Sequence, residues 1–320
     1  MARVKSPRSG SKPGYRSSST RTARAGEYER WTALGADALR QGEFRRSFEA
    51  YSKAKQSARQ SGDSLAADKA GLNLSMVLIQ MGEARQGEEG LREILLRTTD
   101  PRLAYTAAYH LAASLRKQGR HERALSYARR AMENAQALDL PELRAPAHNL
   151  LGNIFLSQNY MDEALKEYGR ALALCECQPG DSRYLEAILE ENAGYCLLLK
   201  QRFEEGIAKI NRALQLANEV GDRRCRAECH QDLCYGLLLQ GRHSSALAMG
   251  EAALNESRTG GYADIEENCH YLLGELGTQT GDLVLRDLHF DLLQAMHPEI
   301  PFLKDFLCAV DVTSIITLKR

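Results

Sequence analysis

Along most of the chain, apolar positions recur at three- and four-residue spacing, and polar turns interrupt them at near-constant intervals. This pattern predicts pairs of amphipathic helices. The clearest copy runs His148, Leu151, Gly152 and Phe155, a turn at Asn159, then Met161, Ala164, Tyr168 and Ala171. Trp31, Leu34, Gly35, Ala38, Gly42, Phe44, Ser47, Tyr51 and Ala54 repeat it near the start. Ala108 to Ala131 and His230 to Ala253 give two further full copies, and weaker ones centre on Gly82, Gly194 and Gly274. Turns fall at 42, 82, 119, 159, 201, 241 and 281, at intervals of 37 to 42 residues. About seven two-helix units therefore fill residues 27–297.

The pattern has physical reasons. Two antiparallel helices need small residues where they approach closely, and Gly35, Ala112, Gly152, Gly194, Cys234 and Gly274 share that place on the first helix. Ala54, Ala131, Ala171, Ala213 and Ala253 share it on the second. Gly42, Gly119, Gly241 and Gly281 end first helices, where a positive φ costs glycine least. Gly62-Asp63, Gly180-Asp181, Gly221-Asp222 and Gly260-Gly261 read as helix ends, with the aspartates capping the next helix.

These residues resemble the tetratricopeptide repeat over about residues 28–300. A period near 40 is longer than that family's usual length of about 34 and falls at the lower edge of HEAT and armadillo arrays. The Leu-Gly pair with the alanine-to-alanine spacing decides for tetratricopeptide units with an extended second helix or linker. Long units of this kind are similar to those of G-protein-signalling adaptors named for a Leu-Gly-Asn tripeptide, which occurs here as Leu151-Gly152-Asn153. The resemblance implies an all-α protein, a right-handed α-solenoid of about seven helix-turn-helix units whose first helices line a concave groove. After Pro298 and Pro301, the spacing of Phe302, Leu303, Phe306, Leu307 and Val310 predicts a capping helix within residues 298–320. The segment 312–318 fits none of these elements.

Positions 2, 5, 9 and 12 of each unit share the groove face by helical geometry. Reading positions 5 and 9 shows small or apolar groups in the first two units, then amides, tyrosines and carboxylates. Tyr109, Asn149, Asn153, Glu191, Tyr195, Gln231, Tyr235 and Tyr271 are the candidate partner-binding residues. Amides pair with a peptide backbone, and tyrosines add stacking area and a hydroxyl. Thr32 and Ala36 stand where chaperone-tail binders of this family carry lysine and asparagine, so such tails are not the expected ligand. The expected function is a protein-interaction scaffold or adaptor holding a peptide or protein segment. The alternatives are a ligand-responsive regulator, which the lack of a preceding helix-turn-helix domain disfavours among bacterial peptide sensors, and a nucleic-acid-associated scaffold.

Charge adds one asymmetry. The chain is neutral, with 42 residues of each sign, yet residues 1–26 carry seven basic residues and no acidic one, leaving −7 on the remainder. That segment is expected to be a disordered Ser/Arg-rich tail able to meet nucleic acid or an acidic surface. Its composition overlaps with organelle transit peptides, but Pro7, Gly10, Pro13 and Gly14 break an early helix, so a cytoplasmic location is expected. No apolar run is long enough to span a membrane. All eight cysteines follow residue 174, and Cys225, Cys229 and His230 form at most an incomplete zinc set; small buried residues are the expected role, without metal or cofactor. No phosphate loop, nucleophile elbow or His-Glu-x-x-His motif occurs, which points away from an enzyme.

Overall fold

A computed structural model describes residues 18–176, 182–310, 318 and 319. The described residues form fifteen helices and no strand. Seven hairpins follow one another: α1 (Ser18–Arg40) with α2 (Phe44–Ser61), α3 (Ser64–Gln80) with α4 (Ala84–Arg97), α5 (Pro101–Lys117) with α6 (His121–Ala137), and α7 (Pro141–Ser157) with α8 (Met161–Glu176). Then come α9 (Arg183–Leu199) with α10 (Phe203–Val220), α11 (Arg223–Leu239) with α12 (His243–Gly260), and α13 (Ala263–Thr280) with α14 (Leu283–Met296). The short α15 (Leu303–Ala309) ends the series. The helices gather into two compact units, residues 1–110 and 111–320, which divide within α5.

The turns follow the sequence pattern. Gly42, Gly119, Gly241 and Gly281 have φ between 68° and 73° at the ends of first helices. Asn159 and Gln201 take the same left-handed conformation in the fourth and fifth hairpins, at φ 65° and 60°. Asp63 accepts from the Ala66 N–H, and Asp222 from the Arg224 and Cys225 N–H groups, so both cap the next helix as expected. Gly180-Asp181 lies outside the described residues.

Hairpin packing explains the small positions. A Cβ on Gly152 would stand 2.7 Å from Cδ1 of Tyr168, and one on Gly35 would stand 2.9 Å from Cε1 of Tyr51. The glycine on the first helix is thus the seat for an aromatic ring from the second. Ala54, Ala131, Ala171, Ala213 and Ala253 are fully buried beside it.

Two boundaries differ from the sequence reading. Helix α1 begins at Ser18, so residues 18–26, read above as part of a disordered tail, belong to the first helix; residues 1–17 lie outside the described residues. The expected capping face is also largely uncovered. Leu307 is buried and Leu303 packs on the core, but Phe302 is 74% and Phe306 52% exposed, and Val310 is exposed too. A seven-residue helix makes only about two turns, so it lays few side chains on its neighbour. Val284, Leu288 and Leu292 of α14 remain exposed as well.

Candidate functional site

In the second unit, the first helices of successive hairpins border one cavity of about 270 Å³. Arg116 and Lys117 come from α5, Asn153 from α7, Ile188, Glu191 and Asn192 from α9, Glu228 and Gln231 from α11, and Asn268 from α13. Equivalent helices present equivalent positions to one side, so residues about 40 apart in sequence become neighbours. Leu318 and Lys319 also line this cavity: the chain's own C-terminal residues sit in the groove.

Leu318 and Lys319 are held through main-chain and side-chain contacts alike. The Leu318 N–H donates to the Tyr195 hydroxyl at 3.0 Å, and its carbonyl accepts from the Asn268 amide at 2.9 Å. The same amide nitrogen donates to Gln231 Oε1 at 2.9 Å, and Gln231 Nε2 donates to Asp232 Oδ1 at 3.1 Å. The Leu318 side chain is buried within the core around α9 to α13. The Lys319 ammonium pairs with Glu191, lies 3.3 Å from Asp232 Oδ2 and donates to Asn192 Oδ1 at 3.2 Å. It also stands 4.9 Å from the centre of the Tyr195 ring, a cation–π contact.

The electrostatics follow from burial. Glu191 and Asp232 are almost completely inaccessible to solvent. Burial pushes the Glu191 carboxyl up to about 8, against the pull of Lys319 and with a further push from Asp232. Glu228 rises to about 7, first through burial and then through Glu191, with Lys319 and Arg224 opposing. Burial alone would lower the pKa of Lys319, but Asp232, Glu191 and Glu228 outweigh it and hold the ammonium well above the usual lysine value. Lys319 sits among three acids, one of which, Glu228, also pairs with Arg224 at 3.0 Å.

Of the eight residues singled out by sequence, Asn153, Glu191 and Gln231 border the cavity and Tyr195 touches the bound segment. Tyr235 is buried with its ring 6.1 Å from that of Tyr195, and Tyr271 is buried on α13. Asn149 is buried and accepts from the Asn192 amide at 3.1 Å, joining α7 to α9. These three were expected on an open face. Their side chains pack within the stack of helices instead of standing in solvent. Asn153 accepts from the Tyr168 hydroxyl at 2.8 Å, so it also anchors the ring seated on Gly152. Tyr109 belongs to the first unit, where its ring stacks on Tyr105 at 5.9 Å and meets the edge of His110.

Sequence reading missed Glu228, Asn268 and Ile188, all at position 2, a place on the same face that could have been read out. It missed Asn192 and Asp232, one residue beyond position 5, for which the pattern holds no signal. His148, His230 and His270 stand at one repeat position and have packing partners: His148 Nδ1 meets Glu167 at 2.6 Å, His230 Nδ1 meets Glu256 at 3.1 Å, and His270 meets His289 at 2.8 Å. Cys225, Cys229, Cys234 and Cys269 are buried, and no metal-holding cluster occurs among the described residues.

The comparisons with known proteins agree with this architecture. A family model described as the tetratricopeptide repeat matches residues 103–176. Residues 103–176 thus match the tetratricopeptide repeat, and the chain has the all-helical fold of tetratricopeptide-repeat proteins. Among solved structures it is similar to the apo form of RapI, with a TM-score of 0.67 and 15% identity over 83% of this chain and 96% of that one. It is also similar to a Rap protein complexed with competence and sporulation factor, with a TM-score of 0.65 and 16% identity over 88% of this chain and 76% of that one. BtubC from P. vanneervenii gives a TM-score of 0.58 and 20% identity over 68% of this chain and 91% of that one. No curated protein sequence matches the chain. No helix among the described residues is long and apolar enough to cross a membrane.

Proposed function

We propose that the protein is an interaction scaffold whose second unit holds an extended segment of a partner protein or peptide against α7, α9, α11 and α13. The observation that carries this reading is the seat of Leu318–Lys319. Both backbone polar groups of Leu318 are hydrogen-bonded by groove side chains, and the following side chain is ion-paired. Side-chain amides and a hydroxyl that satisfy a main chain recognise any extended segment of suitable side chains. A likeness in fold to a protein captured with competence and sporulation factor is consistent with this reading.

The same observation favours a second reading, a ligand-responsive regulator. A segment already in the groove has to leave before another enters, so binding would release the C-terminal residues. Affinity capture from nuclease-treated lysate tests the first reading, using the wild-type chain beside a Gln231→Ala/Asn268→Ala variant. A protein retained by the wild type and lost from the variant, with equal melting temperatures, supports groove recognition. Identical captures would refute it and move attention to residues 1–26 or to the exposed apolar side chains of α14 and α15.

A further inference from the structure

The groove is selective in its chemistry. Glu191 and Asp232 are buried carboxylates whose only ion-pair partner among the described residues is Lys319, which lies 128 positions from Glu191 in sequence. Among the described residues Asp232 Oδ2 has no hydrogen-bond partner, and it faces that ammonium at 3.3 Å. Buried acids of this kind are retained where a cation meets them, because an uncompensated charge in the interior is strongly unfavourable. Here the cation comes from a terminal segment and not from any of the helices that build the groove.

We propose that the groove recognises an aliphatic residue followed by lysine in a partner segment, and that Leu318–Lys319 occupies that site as a competitor in cis. The inference rests on the reading of the groove as a partner surface and names the partner's chemistry. Each part of the dipeptide has its own receptor. Tyr195 and Asn268 take the backbone N–H and C=O of the aliphatic residue, and the core around α9 to α13 takes its side chain. The ammonium donates to one oxygen each of Glu191 and Asn192 and lies 3.3 Å from Asp232 Oδ2 as an ion pair, with the Tyr195 ring beside it. That arrangement fits a compact tetrahedral cation better than the planar fork of arginine. The Lys319 side chain is only 18% exposed, so its charge is met almost wholly by the protein.

The test uses full-length chains, wild type and the Lys319→Glu and Lys319→Ala variants, and a fluorescein-labelled peptide with the sequence of residues 311–320. In the wild type the tethered segment competes at an effective concentration of roughly millimolar. Both variants should therefore bind the peptide at least about 10-fold more tightly than the wild type. Acetylating the peptide's lysine should weaken binding by about 30-fold or more, because one side of a desolvated charge pair is lost. Arginine in its place should weaken binding as well, and Glu191→Gln in the Lys319→Ala chain should do the same. Should the variants fold poorly, the 15N signal of the Lys319 ammonium in the wild-type chain gives a second measurement. Excess peptide should move it to the value of a free lysine.

Equal peptide affinity in wild type and well-folded variants would overturn the proposal, as would indifference to lysine acetylation. Variants that melt lower yet bind no peptide would show the dipeptide to be a structural clasp, and would overturn it too. A captured partner that needs Gln231 and Asn268 but carries no aliphatic–lysine pair would sink this inference alone. Loss of the partner-surface reading would show instead as unchanged capture by the Gln231→Ala/Asn268→Ala variant.

Discussion

The same substitution, glycine to alanine, should act with opposite sign on the two helices of one hairpin. On α7, an alanine Cβ at Gly152 would stand 2.7 Å from Tyr168 Cδ1 and closer still to Cε1, where ordinary carbon contacts begin near 3.5 Å. The ring has to yield by about 1 Å, from the difference between that spacing and an ordinary contact. Tyr168 is fully buried, and its hydroxyl donates to Asn153 at 2.8 Å, so it has little room to turn. Overpacking costs about 1–3 kcal/mol and a weakened hydrogen bond about 1 more, while helix propensity returns about 0.5–1. Gly152→Ala should therefore destabilise by about 1–3 kcal/mol on those terms.

On α8, a Cβ at the exposed Gly169 meets nothing within 4 Å, so only the propensity gain remains. Gly169→Ala should stabilise by about 0.5–1 kcal/mol. Urea unfolding followed by far-ultraviolet circular dichroism measures both, with amide hydrogen exchange in α7 and α8 reporting the local effect. Repeat arrays can unfold in parts, so the local measurement decides. A Gly152→Ala chain as stable as wild type, with unchanged exchange, would refute the close-approach account of the repeat's glycine. A destabilised Gly169→Ala chain would refute the propensity account.

Three further outcomes are expected. Glu191 and Glu228 are raised above their unfolded values, so the folded chain holds protons that the unfolded chain has released; their contribution is present below about 4.5 and is lost as pH rises through about 8 and 7. The melting temperature should accordingly fall between about pH 6.5 and 8, above the range of the lowered histidines His110 and His289, and Glu191→Gln should flatten that slope. Gln201 holds a left-handed conformation at an exposed turn, so Gln201→Gly should raise stability by up to about 1 kcal/mol, read as a shift in urea midpoint at unchanged slope. Among the described cysteines Cys308 is exposed and the others are buried, and burial pushes the Cys196 and Cys234 thiols up to about 12; brief maleimide labelling and peptide mapping should find Cys308 modified first.

The helices and turns were legible in the sequence because their causes are local and repeated. A small residue on the first helix, an alanine on the facing helix and a left-handed residue at each hairpin turn recur along the array, and each involves a hairpin or its immediate neighbour. Even the departures obey that rule, since Asn159 and Gln201 occupy turn positions that the spacing had already marked. Part of the groove was legible for the same reason: Glu191, Tyr195 and Gln231 fell to the periodic reading, and Glu228 and Asn268 lay at a position it contained.

Tertiary structure alone decided the rest. Tyr235, Tyr271 and Asn149 look like groove residues by period, yet they are buried because the stacked helices pack over them. Asp232 and Asn192 join the site although they stand off the repeated positions. The seat of Leu318 and Lys319 depends on contacts across 123 and 128 residues, made once and repeated nowhere. Periodicity records what every unit needs to pack on its neighbour; a single long-range contact between a chain end and two buried acids leaves no period to read.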